Sequence, residues 1–333
     1  MKKNIALLAG GDSPEAAISL KSAGQMMELL DTSKFEVYPV FVSGSEWIAR
    51  RDGLEVPVDK NDFSIFAGGR KILFDCACIM IHGTPGENGL LPAYFEMLGI
   101  PHTTCGPLAG ALTFNKFACK KFLETAGIPS AKAVLVRTAE EVNPRNILEV
   151  TGLPCFVKPN NGGSSFATTK VKSAGELLPA IQLALTIDSE AIIEEFIPGT
   201  EITNGLMELN GALTVFPITE IESATEFFDV EAKYQGLSRE ITPARIPDSL
   251  RDQVFGLSRT IYKHLNCKGI VRIDYIIRDG RPCFLEVNTI PGMSAASIVP
   301  QQLRAMGMDA RDVFTDIIEE AVSRMAARKK GNN

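Results

Sequence analysis

Four side chains able to hold a cation or a developing negative charge recur two residues apart in this chain: Arg272 and Asp274, then Glu286 and Asn288. Residues i and i+2 share one face of a strand, so each pair would project together. Two carboxylates and a carboxamide are oxygen donors suited to a hard cation, and a guanidinium beside them suits a phosphate or an oxyanion. Asp279-Gly280 stands between the pairs, a hairpin signal flanked by alternating runs. A two-residue loop would pair 278 with 281 and send Asp274 and Glu286 to opposite faces. A three-residue Arg278–Gly280 loop, with glycine in the left-handed bulge position, would pair 277 with 281 and unite every even-numbered residue, Phe284 included. A shared site therefore predicts that this turn is odd-numbered or otherwise bulged. A solvated polar strand face is the plain alternative, and Asn288-Thr-Ile-Pro-Gly292-Met directly afterwards favours the cation site.

Other stretches carry complementary chemistry. Lys158-Pro159 leads into Asn160-Asn161-Gly162-Gly163-Ser164-Ser165, whose backbone N–H groups could wrap phosphate oxygens while the lysine adds charge. No G-K-[ST] opens a helix there, so it is not a P-loop, and alone it reads equally well as a hairpin turn. Glu194, Glu195 and Glu201 flank an apolar run that breaks at Pro198-Gly199. Such a hinge can offer backbone groups to a purine and a carboxylate to a ribose, or the acids can simply be solvated. Gly10-Gly11-Asp12-Ser13-Pro14-Glu15 precedes a helix and forms a ready anion site without a G-x-G-x-x-G fingerprint. Glu15 suits the helix dipole as well as it suits a functional role. His82-Gly83-Thr84-Pro85-Gly86-Glu87-Asn88-Gly89 is a glycine-rich loop at the carboxyl end of a strand, where open α/β sheets bind ligands; a solvated turn is the bland alternative.

The elements that must position these groups alternate in type, which predicts an α/β (α+β) fold. A strand at 4–9 feeds a helix to about Leu30, with Ser13 as N-cap and Pro14 at the first helical position. Strands near 35–42 and 77–81 complete a small open parallel sheet. One helix is expected from about Phe114 to Ala126, stopped at Gly127. A strand at 154–158, a helix at 173–186 and a tight hairpin at Asn210-Gly211 follow. Periodicity then fails from Ser223 to Arg245, a long stretch holding Phe227, Phe228 and Tyr234. Loops of that length in compact domains are commonly lids, and three aromatics favour one that docks. Helices resume at 248–265 and 310–327.

Composition bounds the rest. The 333 residues exceed one ordinary core and predict two or three domains. A net charge of −6 with no basic stripe argues against nucleic-acid binding. No run approaches the ~20 apolar residues of a membrane span, and the short apolar start ending in Gly-Gly-Asp reads as a strand rather than a signal peptide. Seven cysteines, several inside apolar strands, and three scattered histidines predict reduced buried thiols, no zinc site and a cytoplasmic location.

Taken in order, a lysine beside a Gly-Ser-Ser loop, an acidic hinge and an Asp…Glu-x-Asn set resemble the ATP-grasp enzymes. Over nearly its whole length the chain resembles the D-alanine–D-alanine ligases. The matching pieces are Gly-Gly-Asp-Ser-Pro-Glu15, His82-Gly…Gly-Glu87, Lys158-Pro…Gly-Ser164-Ser165, Glu194…Glu201, Glu-Ala-Lys233-Tyr234, Arg272-x-Asp274 and Glu286-x-Asn288-Thr-x-Pro-Gly292-Met…Ser297. The resemblance implies three domains: an N-terminal Rossmann-like unit at 1–107, a central one at 108–194 and a C-terminal one at 195–333 carrying a lid at 223–245. It implies that ATP contacts Lys116, Lys158 and Ser165 through its phosphates. Glu194 and the Phe196–Ile197 backbone would take the adenine, and Glu201 the ribose. Asp274, Glu286 and Asn288 would hold two Mg²⁺, for which Mn²⁺ can substitute. Glu15 would hold the ammonium of the first D-alanine, with His82 beside the substrate, and Lys233 and Ser297 would take the carboxylate of the second. Arg272 and the Gly292 N–H would stabilise the oxyanion, and Glu15, Ser164 and Tyr234 would form a latch over the closed site. A homodimer without nucleic-acid or membrane partners is the implied assembly.

Departures from the family pattern include Asn115 before Lys116, Asn88, and Ala16-Ala17 after Glu15. Ala167 stands where glycine is usual, and Ala296 precedes Ser297. None removes a metal ligand or a phosphate-binding lysine; they bear on substrate selection. The rival readings are a related ligase of the D-Ala–D-Lac or D-Ala–D-Ser type, another ATP-grasp carboxylate–amine ligase, or a non-catalytic nucleotide-binding module.

Overall fold

The computed structural model describes residues 2–51, 53–140, 142–163, 166–223 and 238–331. The chain begins β1 (Lys3–Gly10), α1 (Ala16–Leu29), β2 (Phe35–Ser43), β3 (Glu46–Arg51), β4 (Leu54–Asp59), β5 (Ser64–Ala67), β6 (Arg70–Leu73), β7 (Cys76–Ile79) and α2 (Leu90–Leu98). The strands form one sheet in the order β6-β5-β4-β3-β2-β1-β7. β1 runs parallel to β2 and β7, as its uninterrupted apolar run demands, for Ile5 to Ala9 are buried from both sides. Beyond β2 the sheet continues as an antiparallel meander, so the expected parallel sheet is three strands at one side of a mixed seven-stranded one. Helix α1 does not start on Ser13. That hydroxyl donates to the His82 carbonyl (2.9 Å) and accepts from Glu15 N (3.2 Å), a tertiary tie between two glycine loops. The N-cap position falls to Glu15.

The helix expected at 114–126 is α4 (Lys116–Glu124), and a further helix that the sequence reading did not foresee, α3 (Pro107–Phe114), directly precedes it. Asn115 separates the two because its extended backbone lets the side chain cap α4, accepting from Ala118 N at 2.9 Å and donating to Glu190 at 3.2 Å. A second sheet follows from β8 (Ala133–Val136), α5 (Pro144–Thr151), β9 (Cys155–Pro159), β10 (Thr169–Val171), α6 (Ala174–Leu185) and β11 (Ala191–Glu195), ordered β10-β9-β11-β8. Ile147 of α5 and Leu177, Ala180 and Ile181 of α6 cover it.

The third sheet, β14-β13-β12-β15-β16, is built from β12 (Thr200–Leu209), β13 (Ala212–Ser223), β14 (Ser238–Ile241), β15 (Ile270–Arg278) and β16 (Arg281–Asn288). Asn210-Gly211 joins β12 to β13 as expected. Both residues have positive φ (52° and 77°) and Leu209 faces Ala212, the twist-matched two-residue turn. Helix α7 (Asp248–His264) packs Val254, Ile261 and Tyr262 beneath this sheet. Helix α8 (Ile298–Ala305) follows it, and α9 (Ala310–Gly331) crosses back to bury Val313, Phe314, Ile317 and Ile318 against Leu7, Met26 and Cys78. The last helix thereby fastens the first sheet to the third.

The β15–β16 hairpin departs from expectation in an informative way. Its turn is the two-residue one: Arg278 faces Arg281, and Asp279 and Gly280 both have positive φ. The irregularity lies further along, where Tyr275 pairs with Phe284 but Asp274 pairs with Glu286, leaving Leu285 as an extra residue. Asp274 and Glu286 are therefore opposed, as are Arg272 and Asn288. Phe284 leaves the set of even-numbered residues. It packs edge-on against Tyr275 (centroids 6.5 Å apart), 1% exposed. Burial of that ring would be lost with the bulged turn, which would have put Phe284 on the polar face.

Candidate functional site

A cleft of about 1130 Å³ opens where the three sheets meet. It is lined by most of the residues singled out from the sequence: Glu15, His82, Glu87, Lys116, Lys158, Glu194, Phe196, Ile197, Glu201, Arg272, Asp274, Glu286, Asn288, Gly292 and Ser297. Ser164, Ser165, Lys233, Tyr234 and the 224–237 part of the expected lid lie outside the described residues.

One wall is cationic. Lys158 on β9 faces β11, and its Nζ lies 2.6 Å from Glu194 Oε2. Lys120, one turn beyond Lys116 on α4, brings Nζ to 2.8 Å from the other oxygen. That contact lies off the line of a directed hydrogen bond, so its attraction is chiefly coulombic. Burial alone would push the Glu194 carboxyl up; the two lysines outweigh it and hold it at about 2. Lys116 hydrogen-bonds to the Gly162 carbonyl and lies 3.9 Å from Glu286, with burial lowering its pKa. The hinge backbone is partly spent, since Phe196 N donates to Pro154 O at 3.3 Å. The Phe196 ring packs against Phe156, tilted with centroids 5.9 Å apart, and Lys170 Nζ lies 4.4 Å from its centroid, so the pair gives the hinge side of the cleft an aromatic lining.

The facing wall is the β15–β16 pair. Arg272 grips Asp274 with two hydrogen bonds of 2.9 and 2.8 Å, and Thr203 of β12 donates to the same carboxylate. Asn288 Nδ2 donates to Asp274 Oδ2 at 3.0 Å, which leaves its amide oxygen as the donor for a cation. Among the described residues no group of three or more His, Cys, Asp or Glu side chains is gathered as a metal set. The donors here are two carboxylates and one amide oxygen, which fits an ion that shares its coordination with phosphate oxygens.

The third wall comes from the first sheet. His82 Nδ1 donates to the Ile290 carbonyl (2.9 Å), so Nε2 is the acceptor for the Ser22 hydroxyl (2.9 Å). Burial lowers its pKa and keeps the ring neutral. Both nitrogens are thus engaged, and the ring works as a strut between the first sheet and the loop after β16. Glu87 accepts from Gly83 N (2.8 Å) and Ile290 N (3.3 Å), and burial, with the charge of Glu15 beside it, pushes its carboxyl up to about 8. Glu15 reaches across to the phosphate-type loop: a Cβ on Gly163 would lie 2.8 Å from each of its oxygens. A side chain at 163 would require the Glu15 carboxylate to move.

Sequence reasoning passed over Lys120 and Phe156. A signal existed for the first, since residues four apart share a helix face and Lys116 was already singled out. Phe156 alternates with Lys158 on a short strand and carried none.

Three sheets closing on one cleft, with lysines facing a carboxylate–amide pair of strands, define an ATP-grasp ligase. The family description "D-ala D-ala ligase N-terminus" matches residues 4–105, and "D-ala D-ala ligase C-terminus" matches 122–319. The chain belongs to the D-alanine–D-alanine ligase family. It is 49% identical over 321 residues to a D-alanine–D-alanine ligase of Phocaeicola vulgatus, covering 96% of this chain and 99% of that one. The ligase of Flavobacterium johnsoniae is 45% identical over 318 residues, 95% and 98% of the two chains. Among solved structures, a D-alanyl-alanine synthetase A from Vibrio cholerae superposes with a TM-score of 0.87 at 27% identity, over 97% of this chain and 99% of that one. The VanG D-Ala:D-Ser ligase of Enterococcus faecalis gives 0.84 at 32% identity, over 98% and 100%. A Bacillus anthracis D-alanine–D-alanine ligase complexed with ATP gives 0.79 at 29%, over 98% and 99%.

Proposed function

We infer that this chain uses ATP to join two D-alanines into D-alanyl-D-alanine, a step of peptidoglycan precursor synthesis. The carrying observation is the convergence of Arg272, Asp274, Glu286 and Asn288 on one strand face across from Lys116 and Lys158. Lys116 and Lys158 neutralise phosphate charge, with Ser165 and the loop backbone adding hydrogen bonds. The Phe196–Ile197 backbone and Glu194 receive the adenine, and Glu201 takes the ribose. Glu15, with His82 at its side, holds the ammonium of the first D-alanine so that its carboxylate attacks the γ-phosphate, giving an acyl phosphate and ADP. The amine of the second D-alanine, its carboxylate held by Ser297 and Lys233, then displaces phosphate from the acyl carbon. Arg272 and the Gly292 N–H meet the oxyanion of that step. Ser164 and Tyr234 close with Glu15 to keep water from the acyl phosphate. Asp274, Glu286 and Asn288 would hold two Mg²⁺ ions, which supply charge neutralisation to the transferring phosphoryl group.

Homodimerisation, a cytoplasmic location and the three units 1–107, 108–194 and 195–333 belong to the same proposal. Coupled ADP release with a panel of D-amino and D-hydroxy acids tests it. D-Alanine is expected to be used in both positions, and Glu286→Ala to lower turnover at least ~100-fold. Turnover only with other second substrates, or full activity in Glu286→Ala, would overturn the reading.

A further inference from the structure

Glu240 on β14 has no part in the reaction described above, yet it lines the same cleft as Arg272, Gly292 and Ser297. Gln301 of α8 donates both to its Oε2 and to the Ala296 carbonyl, the latter at 2.8 Å. That amide bridges β14 to the turn preceding Ser297, whose hydroxyl is itself 2.8 Å from Ser294 Oγ. Among the described residues Gln301 is the one side chain that hydrogen-bonds to Glu240, and the second oxygen, Oε1, is left without a partner. The charged group nearest in effect is Arg272, but its guanidinium is already committed to Asp274 through two hydrogen bonds. Burial raises the Glu240 pKa, with Arg272 opposing. The chain thus keeps a half-buried acid, tethered on one side, where an aliphatic residue would lose less on desolvation.

We propose that Glu240 is a specificity-determining residue for the second substrate, its carboxylate receiving the ammonium group of the incoming amino acid. This rests on the ligase reading given above. A cationic ammonium beside a carboxylate of low solvent access forms a charge-assisted hydrogen bond, which a neutral hydroxyl forms far less strongly. The same contact therefore selects an amino acid over a hydroxy acid of equal shape. Ser297 recognises the other end of the same molecule, so one short turn and the edge strand tied to it read both charges.

Glu240→Gln removes the charge but keeps an oxygen to accept from Gln301, whereas Glu240→Leu removes both. Dipeptide and depsipeptide formation would be measured with D-alanine as first substrate and D-alanine or D-lactate as second. Glu240→Gln is expected to raise the KM of the second D-alanine about 10-fold or more. The D-lactate to D-alanine preference should rise by a similar factor, with the KM values for ATP and the first D-alanine unchanged. A purely structural bridge would leave Glu240→Gln like the wild type and impair only Glu240→Leu, across all substrates. That outcome, or an unchanged D-lactate preference in Glu240→Gln, overturns the proposal. Failure of the wild type to form D-alanyl-D-alanine would instead overturn the ligase reading itself.

Discussion

Glu194→Gln should be among the most damaging single changes outside the hydrophobic cores. Its carboxylate is the counter-charge for both Lys120 and Lys158, and the three side chains are 4%, 1% and 14% exposed. Removing one partner of a buried ion pair costs about 3–5 kcal/mol, because the remaining charge stays desolvated. The lowered pKa leads to a similar figure: a carboxyl held at about 2 against its ordinary 4.5 contributes about 3 kcal/mol at ~1.4 kcal/mol per pH unit. A depressed carboxyl stabilises the fold above its unfolded pKa, so this contribution is complete above about pH 4.5 and disappears as pH falls towards 2. At neutral pH the variant should lose the full amount, lowering Tm by at least ~6 °C at ~2–4 °C per kcal/mol. The decisive comparison adds Lys120→Met. With Glu194→Gln already in place, methionine removes an unpaired buried ammonium, so the double variant should recover at least ~1 kcal/mol. Denaturant unfolding of the wild type, both singles and the double reads this directly. A Glu194→Gln protein within ~1 kcal/mol of wild type, or a double variant weaker than Glu194→Gln, would refute the account of the triad.

Ala167 occupies left-handed backbone at φ 51°, where an L side chain costs ~1–2 kcal/mol. Ala167→Gly should therefore raise stability by up to about 1 kcal/mol in denaturant unfolding, less the entropy that glycine adds to the unfolded chain, and a loss would contradict it. Gly163→Ala would place a methyl 2.8 Å from both Glu15 oxygens and must displace that carboxylate. We expect the KM of the first D-alanine to rise ~10-fold while the ATP KM changes little, and an equal change in both would count against the contact. Glu87, with its carboxyl raised to about 8, holds a proton in the folded state that the unfolded chain releases above about pH 4.5. Stability from this group falls as pH rises through that window, and Glu87→Gln should flatten the fall. Melting curves from pH 6 to 9 that run parallel for the two proteins would exclude it.

Much of the site was legible because its signals are local. Period-two spacing marks Arg272 with Asp274 and Glu286 with Asn288, and Asn210-Gly211 specifies its turn through backbone conformations that only such residues adopt readily. What escaped depends on partners distant in sequence. Ser13 has the composition of an N-cap but finds the His82 carbonyl instead. Asn115 caps α4 as a local polar residue would, but its amide is also held by Glu190, seventy-five residues on, and the preceding α3 was not foreseen. The meander β3–β6 consists of four- and six-residue strands with only half of their residues shielded from solvent, too short for alternation to stand out. The turn of the β15–β16 hairpin was misjudged because the burial of Phe284 against Tyr275, a matter of packing, decides where the irregularity goes.

That extra residue, Leu285, acts as a change of reading frame within one strand. On the turn side, Phe284 belongs to the core shared with Tyr275; beyond it, Glu286 and Asn288 belong to the cleft. A one-residue deletion in a strand ordinarily inverts every side chain downstream. Here position 285 is the exception. Losing it would leave Tyr275 opposite Phe284 and Asp274 opposite Glu286 in an unbroken ladder, with every facing pair retained and only the local bend and twist of the bulge given up. The insertion is therefore not needed to bring the carboxylates together. Its remaining physical effect is to aim them.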